Sequence, residues 1–235
     1  MSNYLLKIIE QGEHQQQDFK YCISESKKIA RSLVAFANTD GGRLLIGVKD
    51  NGNITGVRSD EEYYMVEAAA RLYSKPMIPF TTRQHFVDTK TVLEVRIEPS
   101  PEKPHYAVDE NGKWWAYFRK EDENRLANKV MLEVWKNRNS PDGILINYSD
   151  AEKILLDYLE SNEKISINKY AKIAHITYKK AEQIIINFRA LGILKDFFGD
   201  HRIDYSINED FDRWGWEKKV RAKGKENGEN EKVRG

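Results

Sequence analysis

The densest run of residues able to contact a polyanion lies between Ser166 and Arg189. Lys169, Lys172, Lys179, Lys180 and Arg189 stand there against a single acid, Glu182, a net of +4. The spacing puts Tyr178, Lys179, Lys180, Gln183 and Asn187 on the outer face of one helix, with Ala181, Ile184, Ile185, Phe188 and Leu191 inward. Ammonium, amide and phenol groups on one helix face can reach the base edges and phosphate oxygens of a duplex. His201 and Arg202 fall at the tip of a following hairpin, where a wing would touch the backbone or minor groove. Residues 144–216 hold 10 Lys/Arg and 12 Asp/Glu, so a nucleic-acid contact here rests on local charge. Protein contact is the competing use of such a helix.

Other chemistries find less support. Cys22 is the single cysteine, which excludes an intramolecular disulfide and a thiolate metal cluster; it reads as a buried, inert thiol. His14, His85, His105 and His175 show no metal-ligand spacing, and the P-loop and dinucleotide-binding glycine patterns are absent. Gly41, Gly42, Gly47, Gly52 and Gly56 suit turns and close strand packing. A formal net charge of +1 decides nothing about partners, and 32% charged with 40% hydrophobic residues is a soluble globular composition. The apolar start is broken by Lys7 and Glu10, so neither a secretory segment nor a membrane span is expected, and the cytoplasm is the expected location.

The elements that must position these groups fall into two sets. Residues 1–139 read as a mixed α+β domain. A helix from Asn3 to Gln11 is followed by an extended segment, Gln16 to Tyr21. A helix capped by Ser24 comes next, burying Ile29, Leu33 and Phe36. A strand, Arg43 to Lys49, turns at Asp50-Asn51-Gly52 into Asn53 to Val57. A helix at 60–73, strands at 80–87 and 91–97, and strands around Tyr106 and at 114–119 follow, and a helix from about Arg125 to Lys136 closes the unit. Alternation predicts one of Trp114 and Trp115 inward and one outward. Asn137 to Gly143 is the boundary. Residues 144–210 then give helix, helix, turn, helix and hairpin, the order of a winged helix-turn-helix. From Glu217 to residue 235 the chain is polar, with seven basic and four acidic residues, and is expected to be a disordered charged tail.

Several strings resemble the Schlafen AlbA-type family. They are Glu13, then Asp18-Phe19-Lys20, then AFANTDGGRLLIGVKDNGNITGV from Ala35 to Val57. Pro104 to Tyr106, Tyr117 to Arg119, Asn124 and Ala127 follow in order. The resemblance implies a Schlafen AlbA-like domain that binds nucleic acid, followed here by the winged helix-turn-helix. A DNA-binding transcriptional regulator is the expected function, DNA being preferred over RNA as partner. Lys20, Arg43, Lys49, Arg119 and Lys120 lie on or beside the motif strands and are candidate phosphate contacts, with Arg119 foremost. In nuclease-active relatives three carboxylates form a metal-dependent site that cuts RNA. Glu13, Asp18 and Asp50 match those positions, Asp18 being one methylene shorter than the usual glutamate. The resemblance thus implies an alternative, a Mg²⁺- or Mn²⁺-dependent endoribonuclease on structured RNA; otherwise no cofactor is expected. The eukaryotic enzymes join two such lobes, and a homodimer would supply the second here. A protein-interaction adaptor is the third reading.

Overall fold

A computed structural model describes residues 3–57, 59–138, 148–199 and 202–218. The chain divides into two compact units, Met1–Leu132 and Glu133–Gly235. Of the boundary expected at Asn137 to Gly143, residues 137–138 are helical and 139–143 lie outside the described residues.

The first unit is built on a four-stranded sheet in the order β1-β2-β5-β4. Its strands are β1 (Gln17–Lys20), β2 (Gly42–Ile46), β4 (Thr81–Val87) and β5 (Lys90–Ile97). β1 and β2 run parallel because α2 (Ser26–Asn38) crosses between them; β5 is antiparallel to both its neighbours. One sheet face meets α2 and α3 (Glu61–Arg71) through Leu44, Ile46, Leu93 and Val95, packed with Leu33, Val34, Phe36 and Val66. The other face packs Phe19, Leu45, Val87 and Val92 against Leu5 and Ile8 of α1 (Asn3–Ile9). A three-stranded sheet joins β3 (Ser74–Lys75), β6 (Tyr106–Val108) and β7 (Trp114–Trp115), and a hairpin pairs β8 (Tyr117–Lys120) with β9 (Glu123–Leu126). α4 (Lys129–Arg138) follows.

Much of the AFANTDGG string is structural. Asn38 is 2% exposed. Its Nδ2 donates to the carbonyls of His105 and Tyr117, and its Oδ1 accepts from the His105 N–H, each at 2.8–2.9 Å. Thr39 Oγ1 donates to the Ala35 carbonyl and accepts the Arg119 N–H, and so ties β8 to the end of α2. A Cβ on Gly42 would stand 2.5 Å from the Phe36 ring. Gly47 has φ +94°, and a Cβ there would stand 2.7 Å from the Gly56 carbonyl carbon. These glycines permit close backbone approach, as their sequence setting predicts.

Several elements differ from expectation. Arg125 and Leu126 are in β9, not in the closing helix, because Glu121 adopts φ 58° and turns the chain back tightly. The segment after Gly52 forms no named strand: it makes the isolated bridge Val48–Ile54 and backbone hydrogen bonds to Gly47, Lys49 and Thr91. Glu25 rather than Ser24 precedes α2. Trp114 and Trp115 are both exposed, at 43% and 42%, and Cys22 is exposed rather than buried.

The second unit contains α5 (Asp150–Ser161), α6 (Ile167–Ile173), α7 (Tyr178–Ala190) and the antiparallel pair β10 (Leu194–Phe198) and β11 (Ile203–Ile207). Ser149 and Glu152 form a capping box at α5. Leu155, Leu156, Leu159, Tyr170, Ala181, Ile184, Ile185 and Phe188 are buried, while Leu191 is 39% exposed, not inward. His201, expected at the hairpin tip, lies outside the described residues. Glu217, expected to open a disordered tail, ends a helical segment at 213–218 and accepts from Tyr148 Oη at 2.7 Å and Arg213 Nε at 2.9 Å. The rest of the expected tail, 219–235, lies outside the described residues. Among the described residues no helix is long and apolar enough to cross a membrane.

Candidate functional site

The carboxylates are arranged unequally. Glu13 precedes β1, and its Oε1 accepts the Phe19 N–H at 2.8 Å. It also hydrogen-bonds with Asp18, and burial with that bond raises the Glu13 pKa above its ordinary value. Asp18 is 3% exposed. Its Oδ2 lies 3.0 Å from Lys20 Nζ and 3.3 Å from Ser32 Oγ, and its Oδ1 lies 3.4 Å from an Arg119 nitrogen. Asp50 lies in the exposed turn after β2. Among the described residues no three His, Cys, Asp or Glu side chains stand close enough together to hold a metal ion. The fold therefore brings Glu13 and Asp18 together, and Asp50 does not complete a metal-holding group with them.

Arg119 corrects the sequence expectation most sharply. It is 2% exposed, so its guanidinium does not reach a phosphate. Nη1 donates to Asn124 Oδ1 at 3.1 Å and Nη2 to the Gln17 carbonyl at 3.0 Å, and the group sits 5.2 Å from the Phe36 ring centroid. Asn124 Nδ2 in turn donates to Ser32 Oγ at 3.0 Å. Arg119, Asp18, Ser32 and Asn124 thus form a buried polar spine joining β1, α2 and the β8–β9 hairpin, and the Tyr117-Phe118-Arg119 string is a structural signal.

The remaining cations of the first unit differ in freedom. Lys20 is partly committed, donating to the Phe19 carbonyl at 2.7 Å beside Asp18. Lys49 lies 5.5 Å from the Tyr21 ring centroid, and Lys120 pairs with Glu121 at 3.2 Å. Arg43 is half-buried and donates to Tyr4 Oη at 3.2 Å. Burial first, then the charges of Arg43 and Arg119, lowers the His14 pKa below its ordinary value. The sequence reading missed Arg83 and Arg96. Cross-strand register sets Arg96 opposite Arg43, and Arg83 opposite Glu94. Strand alternation was legible at both positions, but the register that aligns three strands was not.

In the second unit Tyr178, Lys179, Lys180 and Gln183 are exposed at the start of α7, and Asn187 is half-buried one turn on. Thr177 caps this end, its Oγ1 accepting the Lys180 N–H at 3.2 Å. Gln183 Nε2 donates to Asn187 Oδ1 at 3.0 Å. Lys169 and Lys172 are exposed on α6, and Glu182 is buried. Arg189, counted with the basic window, is instead turned to Asp196, at 2.8 and 2.5 Å. Arg202 is exposed beside Asp204 at 3.1 Å.

A mixed sheet with helices on both faces, a polar spine and a glycine-bearing turn after the first parallel pair defines an α+β domain. Residues 13–128 match the family model described as Schlafen, AlbA_2, and this part of the chain belongs to that family. Among solved structures the chain is similar to the DIP2311 protein from Corynebacterium diphtheriae, at 16% identity and TM-score 0.43, over 77% of this chain and 37% of that one. It is also similar to the N-terminal domain of a RecG-related protein from Nitrosomonas europaea, at 20% identity and TM-score 0.38, over 54% of this chain and 94% of that one. The chain thus spans little more than a third of the Corynebacterium protein's length. No curated protein matches it.

Proposed function

We propose that the chain is a nucleic-acid-binding protein, and specifically a DNA-binding regulator whose second unit is a winged helix-turn-helix. The observation that carries this reading is the start of α7. Tyr178, Lys179, Lys180 and Gln183 are exposed together, and the one acid of the window, Glu182, is turned inward. Two lysines at a helix N-terminus add to the positive end of the helix dipole, where phosphate oxygens are favoured. Gln183 and Asn187 follow one turn apart, with amides suited to adenine edges. In this reading α6 crosses the backbone with Lys169 and Lys172, α7 enters the major groove, and Arg202 follows the groove edge from the β10–β11 hairpin. Membership of the first unit in the Schlafen AlbA_2 family supports nucleic acid as the partner class. Glu13, Asp18 and Asp50 form no metal-holding group, which favours binding over a three-carboxylate cutting reaction.

Lys179→Ala with Lys180→Ala tests it by fluorescence anisotropy on short duplexes of unrelated sequence. Both residues are exposed, so the fold is expected to persist. Loss of two phosphate contacts weakens binding to every duplex and lowers the slope of log affinity against log salt by about 1.8. Gln183→Ala weakens some sequences by about 1–3 kcal/mol and leaves others unchanged. Unaltered binding in the double lysine variant would reject α7 as the docking element.

A further inference from the structure

We propose that Arg43, Arg83 and Arg96 form a phosphodiester-binding strip across the β2–β5–β4 face of the first unit, held in position by Tyr4. The inference rests on the nucleic-acid reading above and adds a second, independent contact surface to it.

Register places the strip. Arg43 on β2 stands opposite Arg96 on β5. Arg83 on β4 stands opposite Glu94, two residues from Arg96. Side chains alternate along a strand, so Arg43, Arg96, Arg83 and Glu94 all share one face. Farther along, the same face is apolar and covered by Leu5 and Ile8 of α1, whereas the arginine end is open. Two shallow depressions meet at Arg96. One, of about 270 Å³, is bordered by Gln16, Arg43 and Arg96; the other, of about 150 Å³, by Tyr4, Arg83 and Arg96.

Tyr4 is the fixing point. Glu94 is 4% exposed, with Oε1 accepting from Tyr4 Oη at 3.1 Å and Oε2 lying 2.7 Å from His85 Nε2. The Tyr4 ring stacks on His85 with centroids 5.6 Å apart. Held this way, Tyr4 Oη accepts from Arg43 Nη1 at 3.2 Å, and its ring faces the Arg83 guanidinium at 5.7 Å. Glu94 lies next to the arginines, yet its oxygens are taken by Tyr4 and His85. Among the described residues Arg43, Arg83 and Arg96 have no ion pair. Asp40 and Glu98 border the Arg43 end; Asp40 accepts from Gln15 Nε2 at 3.0 Å, and Glu98 is exposed.

Three like charges held side by side repel one another, and an anion laid across them relieves that repulsion. Arginine forks suit phosphate oxygens, and ordering by Tyr4 lowers the entropy lost on binding. The spacing favours an extended polyanion over one isolated phosphate. Adjacent strands lie about 4.8 Å apart, so β2 to β4 spans about 10 Å. One strand of a duplex rises about 3.4 Å along the helix axis per phosphate and winds as it rises, so a strip of this length meets more than one phosphate.

The test uses the full chain with a labelled DNA duplex and an RNA hairpin of matched length, between roughly 50 and 200 mM salt. Arg83→Gln with Arg96→Gln removes two exposed charges, and thermal melting confirms that the fold is retained. The expected result is a salt slope lower by about 2 and an affinity at least tenfold weaker at the low-salt end. Tyr4→Phe keeps the ring but loses the hydroxyl that Arg43 uses, and a smaller, severalfold loss is expected. Loss confined to DNA, or to RNA, also supports the strip and identifies whose backbone it serves. Unchanged affinity in the arginine variant, alongside weakened binding in Lys179→Ala with Lys180→Ala, overturns the strip and leaves the functional reading intact. If the unaltered chain binds neither nucleic acid, the functional reading fails and the strip fails with it.

Discussion

Replacing Arg119 with alanine separates a buried organiser from a surface phosphate ligand. The substitution removes hydrogen bonds to Asn124 and to the Gln17 carbonyl, and takes one of two cations away from Asp18, which is 3% exposed. Removing one partner of a buried ion pair costs about 3–5 kcal/mol. Lys20 remains 3.0 Å from Asp18, so the lower end, about 3 kcal/mol, applies. For a unit of this size each kcal/mol lowers Tm by about 3 °C, which gives a fall of about 10 °C. Arg119→Lys keeps the charge but cannot span both Asn124 and the Gln17 carbonyl, and about half the loss is expected. Thermal unfolding followed by circular dichroism reads both variants, with duplex affinity measured well below the transition. An unchanged Tm together with a reduced salt slope in Arg119→Ala would refute the argument, because that pattern belongs to an exposed phosphate contact.

Asn38→Ala strands the His105 N–H and two carbonyls in the interior and should cost about 3 kcal/mol by urea unfolding. Asn38→Asp should not rescue it, because a carboxylate cannot donate to either carbonyl. Gly47→Ala combines φ +94° with a Cβ 2.7 Å from the Gly56 carbonyl carbon, so a loss of about 2 kcal/mol or more is expected in the same assay. Glu13 has a raised pKa in the folded state, so its protonation favours folding. That contribution is fully present below the unfolded carboxyl pKa and disappears as pH rises through the folded value. Glu13→Gln should therefore gain stability relative to the unaltered chain as pH rises above the ordinary glutamate value of about 4.3; a pH-independent difference in urea midpoint would count against the Glu13–Asp18 contact.

Period and punctuation made much of this fold legible. The buried face of α2 and the two strands β4 and β5 follow from apolar spacing that acts locally. The β8–β9 hairpin was hidden because its turn uses Glu121 at φ 58° where a glycine or asparagine would have signalled it. Arg119 was misread because a charged residue on a short strand is ordinarily solvated, and its partners Gln17 and Asp18 lie a hundred residues away in sequence. Asp50 shares a motif string with β2, yet it forms no metal-holding group with Glu13 and Asp18. Arg83 and Arg96 carry no motif at all; only cross-strand register sets them beside Arg43.

The most direct test of nucleic-acid binding is the salt dependence of the unaltered chain's affinity for a short DNA duplex. Lys169, Lys172, Lys179 and Lys180 are exposed on α6 and α7; four phosphate contacts correspond to a slope of about −3.6 in log affinity against log salt. Affinity should then fall about 100-fold between roughly 50 and 200 mM salt, and more steeply if the arginine strip also engages. Absence of binding at the low-salt end, or binding with a slope near zero, would contradict the account.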